Sequence, residues 1–401
     1  MKKLILSACL VAGTSVGAGM LALPMVLCKI GILPTLGLIL VLWFFMYLSG
    51  LFGIELNLRA KKGLTLGQLG CIYSGPGAAH LGSISLVFLI YALLCAYLYG
   101  GASIFQSFLE SHFAWSLPLR GILLTYGLVL ALVLTLSVQR ILQINKALLI
   151  LLLASFAMLS VALFQKVEFS DLPLVAETTW QVDSWTLILP VLLTSFGFQV
   201  IFHTLTDFCN KDALLLKRAI FWGSLIPAVV YIIWTLSTLG VLYHYAPEKY
   251  ALLALGKLDV GQFVEALSET GAWPWVKSLV SVMTILAILK SSIGVGLGLL
   301  GFWKEKLGSA SYSAKAASLG LTMVPPLLIS LFVSELFLKA MSFAGMVLVL
   351  IAIALPLWLI NCPKAKRETA FYPMTESKIL QGLFFLLGVF IVVSELTHMI
   401  K

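Results

Sequence analysis

Runs of about twenty apolar residues follow one another along this chain, and they leave it few ways to fold. A helix of that length crosses the roughly 30 Å hydrocarbon core of a bilayer. In lipid, only helices or closed barrels satisfy their own backbone polar groups. The runs fall near residues 4–28, 32–57, 82–109, 119–138, 146–165, 185–208, 218–242, 276–302, 316–334, 338–360 and 379–397. The expectation is an all-α integral membrane protein with about eleven transmembrane helices. A chain that is 61% hydrophobic and 11% charged is no ordinary soluble domain. Most loops are short, so residues 1–401 read as a single membrane domain.

In a soluble chain the net charge of +9 would point to nucleic acid, but here its placement argues otherwise. With the N-terminus in the cytoplasm, Lys and Arg favour the inner loops by roughly two to one, as the positive-inside rule requires. The outer loop between spans five and six instead carries Glu168, Asp171, Glu177 and Asp183. Nucleic acid is therefore not an expected partner. Met1-Lys2-Lys3 before an apolar run imitates a signal peptide, and Leu6-Ser7-Ala8-Cys9 a lipoprotein box. The stretch before Cys9 is too short for a signal core and hydrophobicity continues past it, so no processing is expected. The six cysteines show no CxxC spacing and read as packing residues. Neither a metal ion nor a cofactor is expected.

The first span contains a fault. Thr14-Ser15-Val16-Gly17-Ala18-Gly19 sets two glycines beside two hydroxyl residues in the middle of a membrane helix. Backbone opened at that depth is tolerated only where it lines a cavity or binds something. A like fault, Thr194-Ser195-Phe196-Gly197-Phe198-Gln199, lies in span six. Small-residue spacing such as Gly13/Gly17 also lets helices pack closely without a ligand. Two faults at corresponding places favour a site, because paired interrupted helices mark the binding site of secondary transporters. Five spans separate repeats of opposite orientation, giving a five-plus-five inverted-repeat core with discontinuous helices 1 and 6. Residues 1–165 form the first repeat, 185–360 the second, and 379–397 an extra helix. The long outer loop, about 243–275, has an apolar period suited to a short helix, either over an outer vestibule or as an interfacial cover.

Three blocks resemble the bacterial hydroxy/aromatic amino acid permeases of the amino acid–polyamine–organocation superfamily. They are Gly17-Ala18-Gly19-Met20-Leu21-Ala22-Leu23-Pro24, Thr194-Ser195-Phe196-Gly197-Phe198, and Leu216-Lys217-Arg218-Ala219-Ile220 leading to Gly223-Ser224-Leu225-Ile226-Pro227 and Tyr231 to Trp234. With the span count the resemblance covers essentially the whole chain, and the tyrosine and tryptophan transporters are the most similar branch. It implies proton-driven uptake of an aromatic amino acid, tyrosine before tryptophan, across the bacterial cytoplasmic membrane. Gln199 stands where many relatives have His, and His203 where they have Pro.

Such a substrate is a zwitterion, and both of its charges must find partners. The helix resuming after Gly19 presents free N–H groups and the positive end of its dipole to a carboxylate. Thr14 and Ser15 can add hydroxyls, with Gly17, Ala18 and Gly19 supplying bare backbone. The carbonyls ending the half-helices, including Ser195, would accept the ammonium. Phe196 and Phe198 flank the second fault with Gly197 and Gln199, and at least one of the two rings must point away. Span three carries Tyr91, Tyr97 and Tyr99, of which Tyr97, nearest the matching family position, is the ligand contact that the resemblance favours.

Lys290 lies in the middle of span eight, where a lysine costs on the order of 3 kcal/mol. Sodium symporters similar to this core place small hydroxyl residues there to complete a sodium site with span one. The resemblance implies that Lys290, beside Ser291, stands in for that cation. Burial favours its neutral amine and nearby carbonyls its charged form, so a proton-coupling role and a fixed charged strut are both open. Glu55 is a second membrane-depth charge, either a proton relay or the i+4 partner of Arg59. His203 and Asp207, one turn apart, form either an inner gate or a helix-end pair. The expected partners are an aromatic amino acid, a proton and the lipid bilayer; oligomeric state is not set by the sequence. An exchanger or permease for another neutral amino acid is the alternative. A membrane transferase would need converging His, Asp and Glu, and the five histidines are scattered.

Overall fold

The computed structural model describes residues 2–168, 174–270, 274–308 and 311–400. Asp171 lies outside the described residues, as do the side chains of Asp183 and His398. Helices α1 (Lys2–Ser15) and α2 (Gly19–Leu27) form the first span, followed by α3 (Ile32–Arg59) and the short α4 (Leu66–Tyr73). Next come α5 (Pro76–Phe113), α6 (Leu119–Leu134) and α7 (Val138–Phe164). The sixth span divides into α8 (Val182–Ser195) and α9 (Phe202–Phe208), and α10 (Ala213–Tyr245) is the seventh. Helices α11 (Pro247–Ala254) and α12 (Val260–Glu269) lead into α13 (Pro274–Leu307) and α14 (Tyr312–Phe332). A π-helical stretch, Leu350–Ala354, joins α15 (Leu336–Val349) to α16 (Leu355–Ile360), and α17 (Lys378–Ile400) ends the chain.

Nine helices among the described residues are long and apolar enough to span a membrane, and α1 with α2 make a tenth, bent by 56°. The expected eleventh is α6, whose 16 residues cover about 24 Å and fall short of a bilayer core if upright. Every residue of α2 is buried, so the broken span sits in the centre of the bundle. Packed about it are α8 and α10, with α13 reaching it through side chains, while α6, α7, α14 and α17 turn residues such as Leu128, Val161, Val324 and Phe385 outward. That exposed apolar surface is what a lipid-facing ring requires.

Span three starts earlier than its hydropathy predicts, because α4 turns back through Gly75 (φ +106°) to lay Gly67 and Gly70 against α5. A Cβ on Gly70 would sit 2.7 Å from the Ala78 carbonyl, so α4 cannot dock with a larger residue there. The segment expected to be a short outer helix forms two. Asp259 caps α12 through Gln262 and also accepts from the Ser103 hydroxyl of α5 at 3.0 Å. Tyr250 of α11 donates to the Cys28 carbonyl at 3.2 Å, tying this cover to the end of α2.

At the other end of the bundle, Glu55 and Arg59 pair at 2.6 Å with both side chains fully buried. Arg59 also donates to the Ala365 carbonyl and to Glu376, each at 2.9 Å. Glu55 accepts from the backbone N–H groups of Phe371 (3.1 Å) and Tyr372 (2.9 Å). The pair thus fastens the 361–377 connection onto α3. Arg59→Met strands a buried carboxylate and is expected to cost about 3–5 kcal/mol, seen as a lower unfolding temperature of the detergent-solubilised protein. An unchanged temperature would count against this fastening.

Candidate functional site

The two helix breaks meet. A Cβ on Gly19 would lie 3.1 Å from the Ser195 backbone, and one on Gly17 would overlap the Ser291 hydroxyl. These glycines serve close approach, since neither has positive φ. Without side chains there, the start of α2 rests directly on the end of α8 and on α13. Ser195 Oγ donates to the Val191 carbonyl at 2.9 Å and toward the Gly19 carbonyl at 3.3 Å.

Breaking α1 frees its last carbonyls, and cationic and hydroxyl donors take them up. Lys290 of α13 donates through Nζ to the Gly13 carbonyl and, at 2.8 Å, to that of Val16. Its neighbour Ser291 accepts from the Ala18 N–H at 3.0 Å. One turn of α13 therefore holds both edges of the first break: the ammonium takes the negative end of α1, the hydroxyl the positive start of α2.

Tyr231 of α10 is the residue that sequence reasoning left out of the site. Fully buried, its hydroxyl lies 2.8 Å from the Ser15 carbonyl and 2.6 Å from that of Ser195. The phenol bridges the ends of α1 and α8. A hydroxyl has one proton for two acceptors. The signal for it was a tyrosine at bilayer depth inside one of the blocks carrying the family resemblance, because a buried phenol needs a polar partner.

The remaining expected site residues divide into two groups. Ser15 is buried, its own hydroxyl without a partner among the described residues. Phe196 stacks edge-on against Tyr231 with ring centres 5.1 Å apart. Tyr97 is buried within α5. The hydroxyls of its neighbours are engaged elsewhere, Tyr91 donating to the Leu321 carbonyl and Tyr99 accepting from the Glu335 N–H.

Thr14 is not brought to this cluster. It is exposed and its hydroxyl folds back to the Val11 carbonyl at 2.7 Å, since adjacent helical residues point about 100° apart. Phe198 turns away too, packing under Gly50 and against Phe202. Thr14→Val is accordingly expected to leave uptake within about twofold of the parent; a tenfold loss in initial rate would return Thr14 to the site.

Beyond Gly197 the chain winds as a 3-10 turn, Gln199–Ile201, before α9. Gln199 Nε2 points to Ser49 Oγ at 3.5 Å, while its buried Oε1 has no partner among the described residues. A small cavity of about 60 Å³ lies here, bounded also by Asn57, His203 and the π-helical stretch of span ten. Ser49 donates to the Ala352 carbonyl at 2.6 Å, an acceptor that Pro356, four residues on, has no N–H to meet. Asp207 accepts from the Gly63 N–H at 2.9 Å, closing the end of the bundle below His203. Glu55 sits apart from the breaks, in the fastening described above.

Backbone carbonyls, N–H groups, hydroxyls, aromatic rings and one ammonium converge at the meeting of two interrupted helices. The sequence profile of the tryptophan/tyrosine permease family matches residues 1–395. The chain is 31% identical over 377 residues to tyrosine-specific transport system 1 of Haemophilus influenzae, covering 93% of this chain and 91% of that one. It is 29% identical to a tryptophan-specific transport protein of Pseudomonas aeruginosa, over 86% of this chain and 83% of the other. It is also similar, at 24% identity across 98% of its length and 99% of the relative's, to glutamine transporter 2 of Aliivibrio fischeri.

Proposed function

The chain belongs to the tryptophan/tyrosine permease family, and from that premise we propose that it imports an aromatic amino acid, tyrosine ahead of tryptophan, by proton-coupled alternating access. It works in the bacterial cytoplasmic membrane with its N-terminus inside. The moving parts in this reading are a five-plus-five inverted repeat, residues 1–165 and 185–360, with α17 outside the core. The observation carrying the proposal is the hold of Lys290 on the Gly13 and Val16 carbonyls, at the break that faces Ser195.

The substrate carboxylate docks at the start of α2, where Gly17, Ala18 and Gly19 offer N–H groups and the helix dipole adds its positive end. Its ammonium takes a carbonyl at the end of α1 or α8. Tyr231 can satisfy only one of the Ser15 and Ser195 carbonyls at a time, so the other is free to accept a substrate N–H. Phe196 and Tyr97 flank the ring. Gln199, whose Oε1 lacks a partner among the described residues, lies on the path leading away past Ser49 and His203.

Lys290 sets the energetics of coupling. While protonated it ties α13 to α1 with charge-assisted bonds, filling the place a sodium ion would otherwise take. Losing its proton releases Gly13 and Val16 and lets α1 move against α13. Uptake is then proton-linked and sodium-independent. Glu55 is assigned to fastening, since Arg59 and two backbone N–H groups already occupy its carboxylate.

A second reading, a permease or exchanger for another neutral amino acid, is favoured by the full-length likeness to a glutamine transporter. Uptake of labelled tyrosine by whole cells, with unlabelled tyrosine, tryptophan, phenylalanine and glutamine as competitors and a protonophore control, separates the two. Aromatic competition with protonophore collapse is the expected result. Glutamine competing as well as tyrosine would overturn the aromatic assignment.

A further inference from the structure

A cavity of about 600 Å³ lies between α5, α14, α15 and α17, away from the helix breaks. Its walls are apolar and half-exposed toward the lipid-facing side, with Phe88 at 54% and Ile329 at 45%. The size falls within the range of about 300–1,000 Å³ usual for ligand pockets. Two charged side chains break the apolar lining, Lys339 and Glu395.

Glu395 is only 2% exposed, and its hydrogen-bond partner among the described residues is the Ser342 hydroxyl. One neutral hydroxyl is poor compensation for a carboxyl at this depth. Such a group calls for a donor from outside the protein. Lys339 stands one turn before Ser342 on the same face of α15, in that helix's first turns and therefore near the membrane interface. Its ammonium meets the Ser334 carbonyl at 3.3 Å and Glu335 at 3.7 Å and stays half-exposed.

The recess thus presents an anion-binding group above, a cation-binding group below, and an apolar trench beside them. We infer that it is a lipid site for a phospholipid with a primary-ammonium headgroup, the ammonium donating to Glu395 and the phosphate meeting Lys339. The acyl chain lies along Phe88, Ile329 and Phe343. Lys339 and Ser342, the partner of Glu395, stand three residues apart on α15, about 4.5 Å of helix rise, so one head carrying both a phosphate and an ammonium can address the two. A trimethylated head has no N–H to give.

Native mass spectrometry of the full chain in detergent tests this, with phosphatidylethanolamine, phosphatidylcholine and phosphatidylglycerol of matched acyl chains added singly. The wild type should retain one phosphatidylethanolamine about tenfold more tightly than phosphatidylcholine. Glu395→Gln keeps a partner for Ser342 and should erase that difference, while Lys339→Gln should weaken both phosphatidylethanolamine and phosphatidylglycerol. Ala340→Trp fills the recess with Glu395 intact and should abolish retention. Equal retention of the ethanolamine and choline lipids by the wild type would overturn the inference. So would a preference surviving in Glu395→Gln or Ala340→Trp, or displacement of the lipid by added tyrosine. Should Glu395→Gln not fold, the wild-type ratio and Ala340→Trp decide.

Discussion

Tyr231→Phe is expected to lower the initial rate of uptake about ten- to hundredfold while the protein remains folded in the membrane. The substitution removes one oxygen and keeps the ring that stacks on Phe196. What is lost is the donor shared by the Ser15 and Ser195 carbonyls, which end α1 and α8. Leaving a buried acceptor unpaired costs about 1–3 kcal/mol, and in lipid no bulk water reaches it. The two half-helices then lose their common reference point, and the site loses the geometry that leaves one carbonyl for the substrate. Uptake and membrane abundance measured together check this: wild-type rates at wild-type abundance would show that the hydroxyl is dispensable.

Gly17→Ala is expected to abolish uptake, because the new methyl group would overlap the Ser291 hydroxyl, which accepts from the Ala18 N–H. Overpacking of this kind costs about 1–3 kcal/mol in a rigid core, and here it falls on the contact joining α13 to α2. The companion change Ser291→Gly empties the space the methyl needs. The double variant should therefore recover part of the lost activity although each single change is harmful. Such non-additivity is what residues in direct contact produce. If Gly17→Ala and Ser291→Gly simply add, the close approach does not govern transport.

Where the backbone opens was legible in the sequence to within a few residues. Glycine pairs and hydroxyls at the centre of an apolar run carry that signal locally, and α1 ends at Ser15 with α2 beginning at Gly19. The sixth span was equally readable, though its irregular part extends to Ile201 as a 3-10 turn. Lys290 stood out because an ammonium at bilayer depth is costly wherever it points. Its partners, Gly13 and Val16, belong to a helix some 270 residues earlier in the chain.

Features that depend on a distant partner left weaker traces. Tyr231 resembles many membrane tyrosines until the ends of α1 and α8 are seen to converge on it. Thr14 and Ser15 are chemically alike, and only the helical phase, fixed by packing against α10, buries one and exposes the other. Glu395 escaped notice at the far end of a hydrophobic run, where a charge is usually solvated. The π-turn at Leu350–Ala354 has no glycine or proline within it; its local trace is Pro356 just beyond, which has no N–H to give the Ala352 carbonyl four residues back. Helix α4 was hidden for another reason, being too short and too polar at its start to register as a span, yet held by the Thr65–Gln68 capping box and the glycine contact to α5.

Lys290 carries the central claim, that an ammonium on the first break replaces sodium and links transport to protons. Initial rates of labelled tyrosine uptake should be compared for the wild type and Lys290→Thr across pH, with and without sodium. Wild-type uptake should ignore sodium, respond to pH and collapse with a protonophore. Lys290→Thr should lose the pH response. A variant whose pH dependence and protonophore sensitivity match those of the wild type would contradict that claim, and would leave Lys290 as a fixed strut between α13 and α1.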